Sequence, residues 1–316
     1  MMDLPISRKT GLNNLRARAR ARRLQRREAG FHALCAGLAV ISCLSVFAIL
    51  GFLLYFTWPL VAEGHLTRIL AWHWRPFQGQ FGILPMIVGS ACLAASSLVV
   101  AYPVGLGICG FAHGLGPRPL ARIVMAGIHF MTGIPTVVYG FVAVFLLVPR
   151  IRGVFLQGTG FSWLAASLTL SLLILPTIVL LIHAQLRQVD AGVRLAITAL
   201  GFTPAQGLLR VLLPLSHRGL LAALVLGFAR AVGDTLIALM LAGNAPQVPH
   251  SLLDSLRTMT AHIALVVATD SHSLAYHSIF ACGLILFSLT LMVNLALRWL
   301  QSQSTATTLV RHEPHA

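Results

Sequence analysis

Six stretches of this 316-residue chain are long and apolar enough to cross a hydrocarbon core, and they leave few folds open. They run over Phe31–Ala62, Phe81–Ala112, Leu120–Val148, Ser162–His183, Gly219–Gly243 and Leu274–Leu297. A bilayer core takes about 20 apolar residues per helix but only about 10 per strand, so runs of this length predict helices. Inside a helix every backbone N–H and C=O is satisfied without water, which is the condition for crossing lipid. Pro85, Pro103, Pro135 and Pro176 fall within these runs. Membrane helices tolerate them where neighbours satisfy the freed carbonyls. The expected fold class is an all-α integral membrane protein with six transmembrane helices. Composition agrees: 57% of residues are apolar, 10% are charged, and mean hydropathy is +0.83, far from a soluble domain.

The net charge of +15 is unevenly placed. Arg8, Lys9, Arg16, Arg18, Arg20, Arg22, Arg23, Arg26 and Arg27 crowd the start, and most other basic residues sit between the apolar runs. With the N-terminus inside, Arg118, Arg122, Arg187, Arg194, Arg210, Arg218, Arg298 and Arg311 share its side. Only Arg68, Arg75, Arg150, Arg152 and Arg257 lie opposite, and Arg230 is within the membrane. This bias predicts that both termini are cytoplasmic. It also points to anionic headgroups of membrane lipids rather than to nucleic acid, an RNA-binding arm being the alternative.

The apolar run Phe31–Trp58 is far longer than a signal-peptide core of about 7–15 residues, so it reads as an uncleaved first helix. The chain divides into a basic cytoplasmic arm (1–28), a first helix and outer loop (29–80), a membrane domain (81–298) and a cytoplasmic tail (299–316). Cys35, Cys43, Cys92, Cys109 and Cys282 fall in apolar runs without ligand spacing, as small buried hydrophobes do. Trp58, Trp72, Trp74 and Trp163 fall where interfacial anchors are expected. No P-loop, GxGxxG, HExxH or GxSxG is present. No catalytic residue is assigned, the chain is not read as an enzyme, and its energy must come from a partner.

GFARAVGDT, residues Gly227–Thr235, places Arg230 and Asp234 in an otherwise apolar run. A charge at mid-membrane costs about 2.5–3.5 kcal/mol on insertion scales, so it persists where it faces a bundle interior or a solute path. The i to i+4 spacing predicts both side chains on one helix face. They form either a structural ion pair between helices or a charged lining for a route across the membrane. Arg230, Asp234 and Thr235 are the candidate pathway residues.

Two connections exceed simple turns, Arg187–Arg218 on the inner side and Asn244–Ser273 on the outer. In the first, Thr203 suits an N-cap and Pro204 a first helical position. Leu208, Leu209, Leu212 and Leu213 would form the apolar side of a short helix that ends at Pro214. It would otherwise lie flat against headgroups. In the second, Asp254 and Arg257 form an exposed surface pair or part of a docking site for a binding protein, the former being favoured. His250, His262, His272 and His277 show no metal-site spacing with a carboxylate, and no metal is assigned. His129 and His183 read as structural residues.

These two regions together resemble the permeases of ABC importers. Arg194–Gly219 resembles their cytoplasmic loop signature, with Gly201 at its glycine and Leu213-Pro214 at its end. Leu195, followed by Ala196 and Ile197, stands where the family has Glu. Ala229–Leu265 resembles the PstC-type permease of the phosphate-specific importer. Arg230, Gly233, Thr235, Gly243, Asn244, Thr260, Ala261, Ile263 and Ala264 match, with Asp234 in place of Glu. GIPTVVYGF, residues Gly133–Phe141, is similar to a further family segment, and the likeness spans roughly Phe81–Leu297.

The resemblance implies a type I ABC importer permease bundle in the bacterial inner membrane, with 81–298 as its permease domain. It implies that Leu195, Gly201, Leu208, Leu209 and Pro214 belong to a loop that couples to an ATPase. The implied partners are a homologous second permease, two ABC ATPase subunits, a periplasmic phosphate-binding protein and phosphate. ATP and Mg would bind the ATPases, and this chain would carry no cofactor. Alternating access driven by the ATPases is the implied mechanism. The alternatives are a permease for sulfate or another oxyanion, and a component signalling phosphate status with little transport. An intramembrane enzyme lacks any nucleophile–base constellation.

Overall fold

The computed structural model describes residues 6–62, 64, 69–156, 158–267 and 274–309. His272, and Arg68 and Arg311 from the charge count, lie outside them. The chain divides into two compact units, the first ending at Tyr55 and the second beginning at Phe56.

Helix α1 (Ile6–Ala62) supplies the first unit and opens the second. From Ile6 onward the basic arm is helical and continuous with the first apolar span. In the first unit the side chains from Phe31 to Tyr55 are largely exposed, Cys35 and Cys43 among them. These two cysteines are not the buried residues expected.

The second unit continues with a two-stranded hairpin, β1 (Trp74–Arg75) and β2 (Gln80–Phe81). Helices α2 (Leu84–Gly110), α3 (Arg118–Thr132), α4 (Thr136–Phe155) and α5 (Trp163–Arg187) follow. After them come α6 (Ala191–Ala199), α7 (Pro204–Leu215), α8 (His217–Val232) and α9 (Leu236–Leu241). The last are α10 (Met259–Val266) and α11 (Leu274–Leu309).

Among the described residues five helices have the length and apolarity to cross a membrane: Gly30–Pro59, Leu84–Leu115, Thr136–Phe155, Trp163–Arg187 and Ala275–Trp299. The expected span Leu120–Val148 is interrupted. Pro135 has no N–H to donate and disfavours helix at Ile134, so α3 stops at Thr132 and α4 starts at Thr136. The Tyr139 hydroxyl bridges this break by donating to Met131 O at 3.0 Å. The expected span Gly219–Gly243 is also interrupted, at Gly233–Thr235. Helix α8 turns by 73° from α7, and the pair counts as a sixth, broken span.

Helix α5 is the central post, about 37 Å long at 1.5 Å per residue, with α2 and α8 packed against it. Leu170, Ile174, Ile178, Ile182 and Leu186 recur every fourth residue and are all fully buried. Lipid is as apolar as these side chains, so close van der Waals packing, not water exclusion, holds membrane helices together. Small residues permit that approach. A Cβ at Gly105 would meet Ile178 at 3.0 Å, and one at Gly227 would meet it at 2.9 Å.

Polar groups in the post are satisfied locally. Ser167, Thr169 and Ser171 donate to the carbonyls of Leu164, Ala165 and Leu168. Trp163 Nε1–H donates to Ser96 Oγ at 2.8 Å and ties α5 to α2, so this indole is a strut as well as a candidate anchor.

Candidate translocation site

Helix α8 starts against α5 near Gln185, where Gly219 leaves room for that side chain, and runs toward the Trp163 end. Its last turn carries Arg230. The helix ends at Gly233, whose N–H still donates to Ala229 O at 3.0 Å. Asp234 does not continue it. Asp234 Oδ2 accepts the Ile237 N–H at 2.9 Å and so caps the start of α9, a role for which Asp is among the best residues.

The expectation that Arg230 and Asp234 share one helix face is therefore corrected. The helix breaks between them, and the carboxylate is spent on the backbone of the next helix. Thr235 occupies the position before α9 and makes no side-chain capping bond.

Arg230 is exposed and, among the described residues, makes no hydrogen bond or ion pair. It lines a cleft of about 420 Å³ with Thr177, Ala229, Gly233, Thr290 and Asn294. Thr177 lies close to the midpoint of α5, so the guanidinium sits near mid-depth of the bundle. A second cleft of about 180 Å³ shares Ala229, Gly233, Thr290 and Val293 with the first and adds Thr260. The two form one polar-dotted trough between α8 and α11.

At the Trp163 end the connection after α9 is ordered, not a loose loop. Ala242–Asn244 lies beside Leu256–Arg257, with Leu256 N–H donating to Ala242 O at 2.9 Å. Gly243 has φ +77, and a Cβ there would run into the Ser255 side chain, so only glycine fits. Thr258 caps α10 through Ala261 N–H. Met259 N–H donates to Ser90 Oγ on α2, and Thr260 Oγ1 donates to Asp234 O, each at 2.9 Å.

Asp254 does not pair with Arg257. Its Oδ2 accepts the N–H groups of His250 and Ser251, both at 2.8 Å, and these bonds hold its pKa below the ordinary carboxylate value. Arg257 instead donates from Nε to Asn244 O at 2.8 Å. Partial burial pulls its pKa below the usual guanidinium range.

His262 is fully buried, edge-on to Trp74 with ring centroids 4.4 Å apart. Trp74 is thus core of this cap rather than the interfacial anchor its sequence position suggested. Ser278 Oγ–H already donates to Ala275 O, so His262 Nε2–H is the donor to Ser278 Oγ at 3.2 Å. Burial, with the nearby Arg257 charge, lowers the His262 pKa to about 3.

At the Arg187 end, α6 stops in a Schellman turn. Phe202 N–H returns to Ile197 O and Gly201 N–H to Thr198 O, and Gly201 takes the left-handed φ of +71 that this turn needs. The expected cap at Thr203 is present as a full capping box with Gln206.

In α7, Leu208 and Leu212 are buried within the chain, Leu208 against Gly110 of α2. Leu209 is 61% exposed and Leu195 on α6 is 70% exposed. Pro214 lies inside the last turn of α7 rather than ending it, because the helix continues to Leu215. Of the apolar residues expected on one face, Leu208 and Leu212 are internal anchors whereas Leu209 remains outward, as does Leu195 on α6. The candidate pathway residues and the candidate coupling residues lie at separate places, α8 being the rod between them. Arg257, Asn244 and Thr260 escaped the sequence reading of the site, because only the chain pairing at Gly243 and Leu256 brings them to the Asp234 turn.

Helices packed through small residues, a span broken at a charged turn and a polar trough at mid-depth are features that suit a membrane transport component. The family model described as binding-protein-dependent transport system inner membrane component matches residues 104–304, and the chain belongs to this family of multi-pass inner-membrane ABC importer permeases. The probable ABC transporter permease protein YqgH of Bacillus subtilis is 33% identical over 73% of this chain and 76% of its own length. The phosphate transport system permease protein PstC of Mesorhizobium japonicum is 26% identical over 92% of this chain and 94% of its own. Among solved structures, the MetNI methionine ABC transporter matches with a TM-score of 0.51 at 20% identity, covering 69% of this chain and 94% of that one. This last likeness speaks for the fold alone, an all-α type I importer permease bundle.

Proposed function

We propose that this chain is a permease subunit of an ATP-driven phosphate importer. It lines the pathway with a second, homologous permease, couples through α6 and α7 to two cytoplasmic ATPase subunits that bind ATP and Mg, and receives phosphate from a periplasmic binding protein. The observation that carries this reading is Arg230, a guanidinium with no hydrogen-bond partner among the described residues, in a cleft near mid-depth. A guanidinium matches the oxygens of a tetrahedral oxyanion in a two-point contact. The choice of phosphate draws on the PstC relative aligned over nearly the whole chain, since the name of the Bacillus relative specifies no substrate.

In this reading Asp234 acts on the pathway by ending α8. Its cap keeps α9 apart from α8, so the Arg230 side chain stands at a helix terminus with the trough open beside it. The exposed Leu195 and Leu209 offer apolar anchors to the ATPase, each worth about 1.5–3 kcal/mol when buried.

The test is reconstitution of the chain with a second permease, ATPases and binding protein in proteoliposomes, with phosphate and sulfate offered separately. Phosphate-dependent ATP hydrolysis with phosphate accumulation is expected. Sulfate accumulation in its place would replace phosphate as the cargo. ATP hydrolysis that responds to phosphate without accumulation would make the complex a sensor.

A further inference from the structure

Arg257 is held unusually firmly for a cation that meets no counter-ion among the described residues. Its backbone is locked by the pairing of Leu256 with Ala242 and by the capping of α10 at the next residue, Thr258. Its carbonyl lies where any side chain at Gly89 of α2 would collide with it. Its side chain is fixed by the bond from Nε to Asn244 O at 2.8 Å. The two terminal nitrogens have no partner among the described residues. The carboxylates described nearest in sequence are committed elsewhere, Asp254 to His250 and Ser251 N–H, and Asp234 to Ile237 N–H. A half-buried guanidinium without a counter-ion is costly. An anion from outside the chain would offset that cost.

The position says which anion. Thr258 Oγ1 and Thr260 Oγ1 are 3.0 Å apart, and Thr260 donates to Asp234 O at the break after Arg230. Thr260 also lines the smaller cleft, which shares Ala229 and Gly233 with the cleft of Arg230. Arg257 itself lines neither cleft, but it shortly precedes Thr260, which lines the smaller one, and so lies beside the Trp163 end of the same trough.

We propose that Arg257 is a second contact for the transported oxyanion, met before Arg230 on the route from the outer face. This deepens the phosphate reading and rests on it. The two guanidiniums act in sequence: the rigid outer one draws the anion off the binding protein, and the inner one, hydrogen-bonded to no described residue, receives it when the trough opens.

The experiment uses the full reconstituted transporter, with phosphate uptake measured at saturating loaded binding protein. Wild-type uptake of phosphate is the control for the underlying reading, and its replacement by another oxyanion would move the whole series to that anion without touching the argument about Arg257. Arg257→Gln is expected to lower turnover tenfold or more. Arg257→Lys, which keeps the charge but loses the planar bond to Asn244 O, is expected to stay within about threefold of wild type. Subunits should co-purify in the wild-type ratio for both variants. Wild-type turnover in Arg257→Gln would overturn the proposal. Equal losses in Gln and Lys variants would also overturn it, because a structural strut needs the guanidinium geometry and not its charge. Loss of co-purification in Arg257→Gln with retention in Arg257→Lys would overturn it too, and would assign Arg257 to a carboxylate on a neighbouring subunit.

Discussion

Arg230→Gln separates two accounts of the charged turn, because they differ in what its removal does to stability. If Arg230 and Asp234 formed a buried pair, deleting one partner would strand the other charge and cost about 3–5 kcal/mol. The structure points to a much weaker dependence. Arg230 makes no hydrogen bond or ion pair among the described residues, its charge is the least of the influences on Asp234, and Asp234 is held by the Ile237 N–H. Arg230→Gln should then shift stability by no more than about 0.5 kcal/mol, as expected of an exposed site. Asp234→Asn keeps a good capping side chain and should be similarly mild, whereas Asp234→Ala loses the cap and about 1 kcal/mol.

Transport should respond in the opposite way. Two charge-assisted bonds to an oxyanion are worth about 1.5–3 kcal/mol each, and an open, wet cleft reduces the pair to about that of one. At about 1.4 kcal/mol per factor of ten, this predicts a loss of roughly tenfold to a hundredfold in uptake. The assays are denaturation of the purified subunit complex and phosphate uptake in proteoliposomes. The double variant Arg230→Gln with Asp234→Asn closes a cycle whose stability coupling should be under about 0.5 kcal/mol. A coupling above about 1.5 kcal/mol, or wild-type uptake by a folded Arg230→Gln protein, would refute the reasoning.

Charging the two leucines of α7 should give different defects. Leu208→Asp, buried against Gly110, should reduce the amount of folded protein, whereas Leu209→Asp should leave folding intact and weaken ATPase co-purification; identical defects would contradict the two faces. The buried His262 makes the cap at the Trp163 end acid-sensitive. Its folded pKa of about 3 lies below the ordinary value near 6.5, so the unfolded chain takes up a proton first as pH falls. The contribution is whole above about pH 6.5 and shrinks toward pH 3, by at most about 4–5 kcal/mol. Hydrogen exchange of Met259–Val266 should quicken over that window, and His262→Gln should flatten the response. Cysteines placed at Ser251 and Ser304 are expected to label with an impermeant reagent from opposite sides of the membrane; labelling from one side would contradict the cytoplasmic placement of both termini.

Much of the architecture was legible in the residues, because lipid leaves the backbone so few choices. Runs such as Trp163–Arg187 and Ala275–Trp299 become helices whatever surrounds them, since their N–H and C=O groups have no other partners. Signals read within a few residues also held. Gly201 stops α6 because only glycine takes its left-handed turn at little cost, and Thr203 with Pro204 starts α7 through bonds that reach no further than Gln206. What failed to read out depended on contacts distant in the chain. From Leu220 to Ala242 the local sequence suits one straight helix with Arg230 and Asp234 side by side. The break is supported from outside, by Thr260 donating to Asp234 O and by Leu256 pairing with Ala242. Trp74 becomes core only because His262 and Phe81 close around it. Leu208 and Leu209 differ in surroundings although they are adjacent and identical, because Gly110 of α2 leaves a space for one and none of the described residues covers the other. Local chemistry sets which segments are helical and where most of them stop. Which side chains remain free to meet an anion or a partner is decided when remote segments claim their hydrogen bonds and their space.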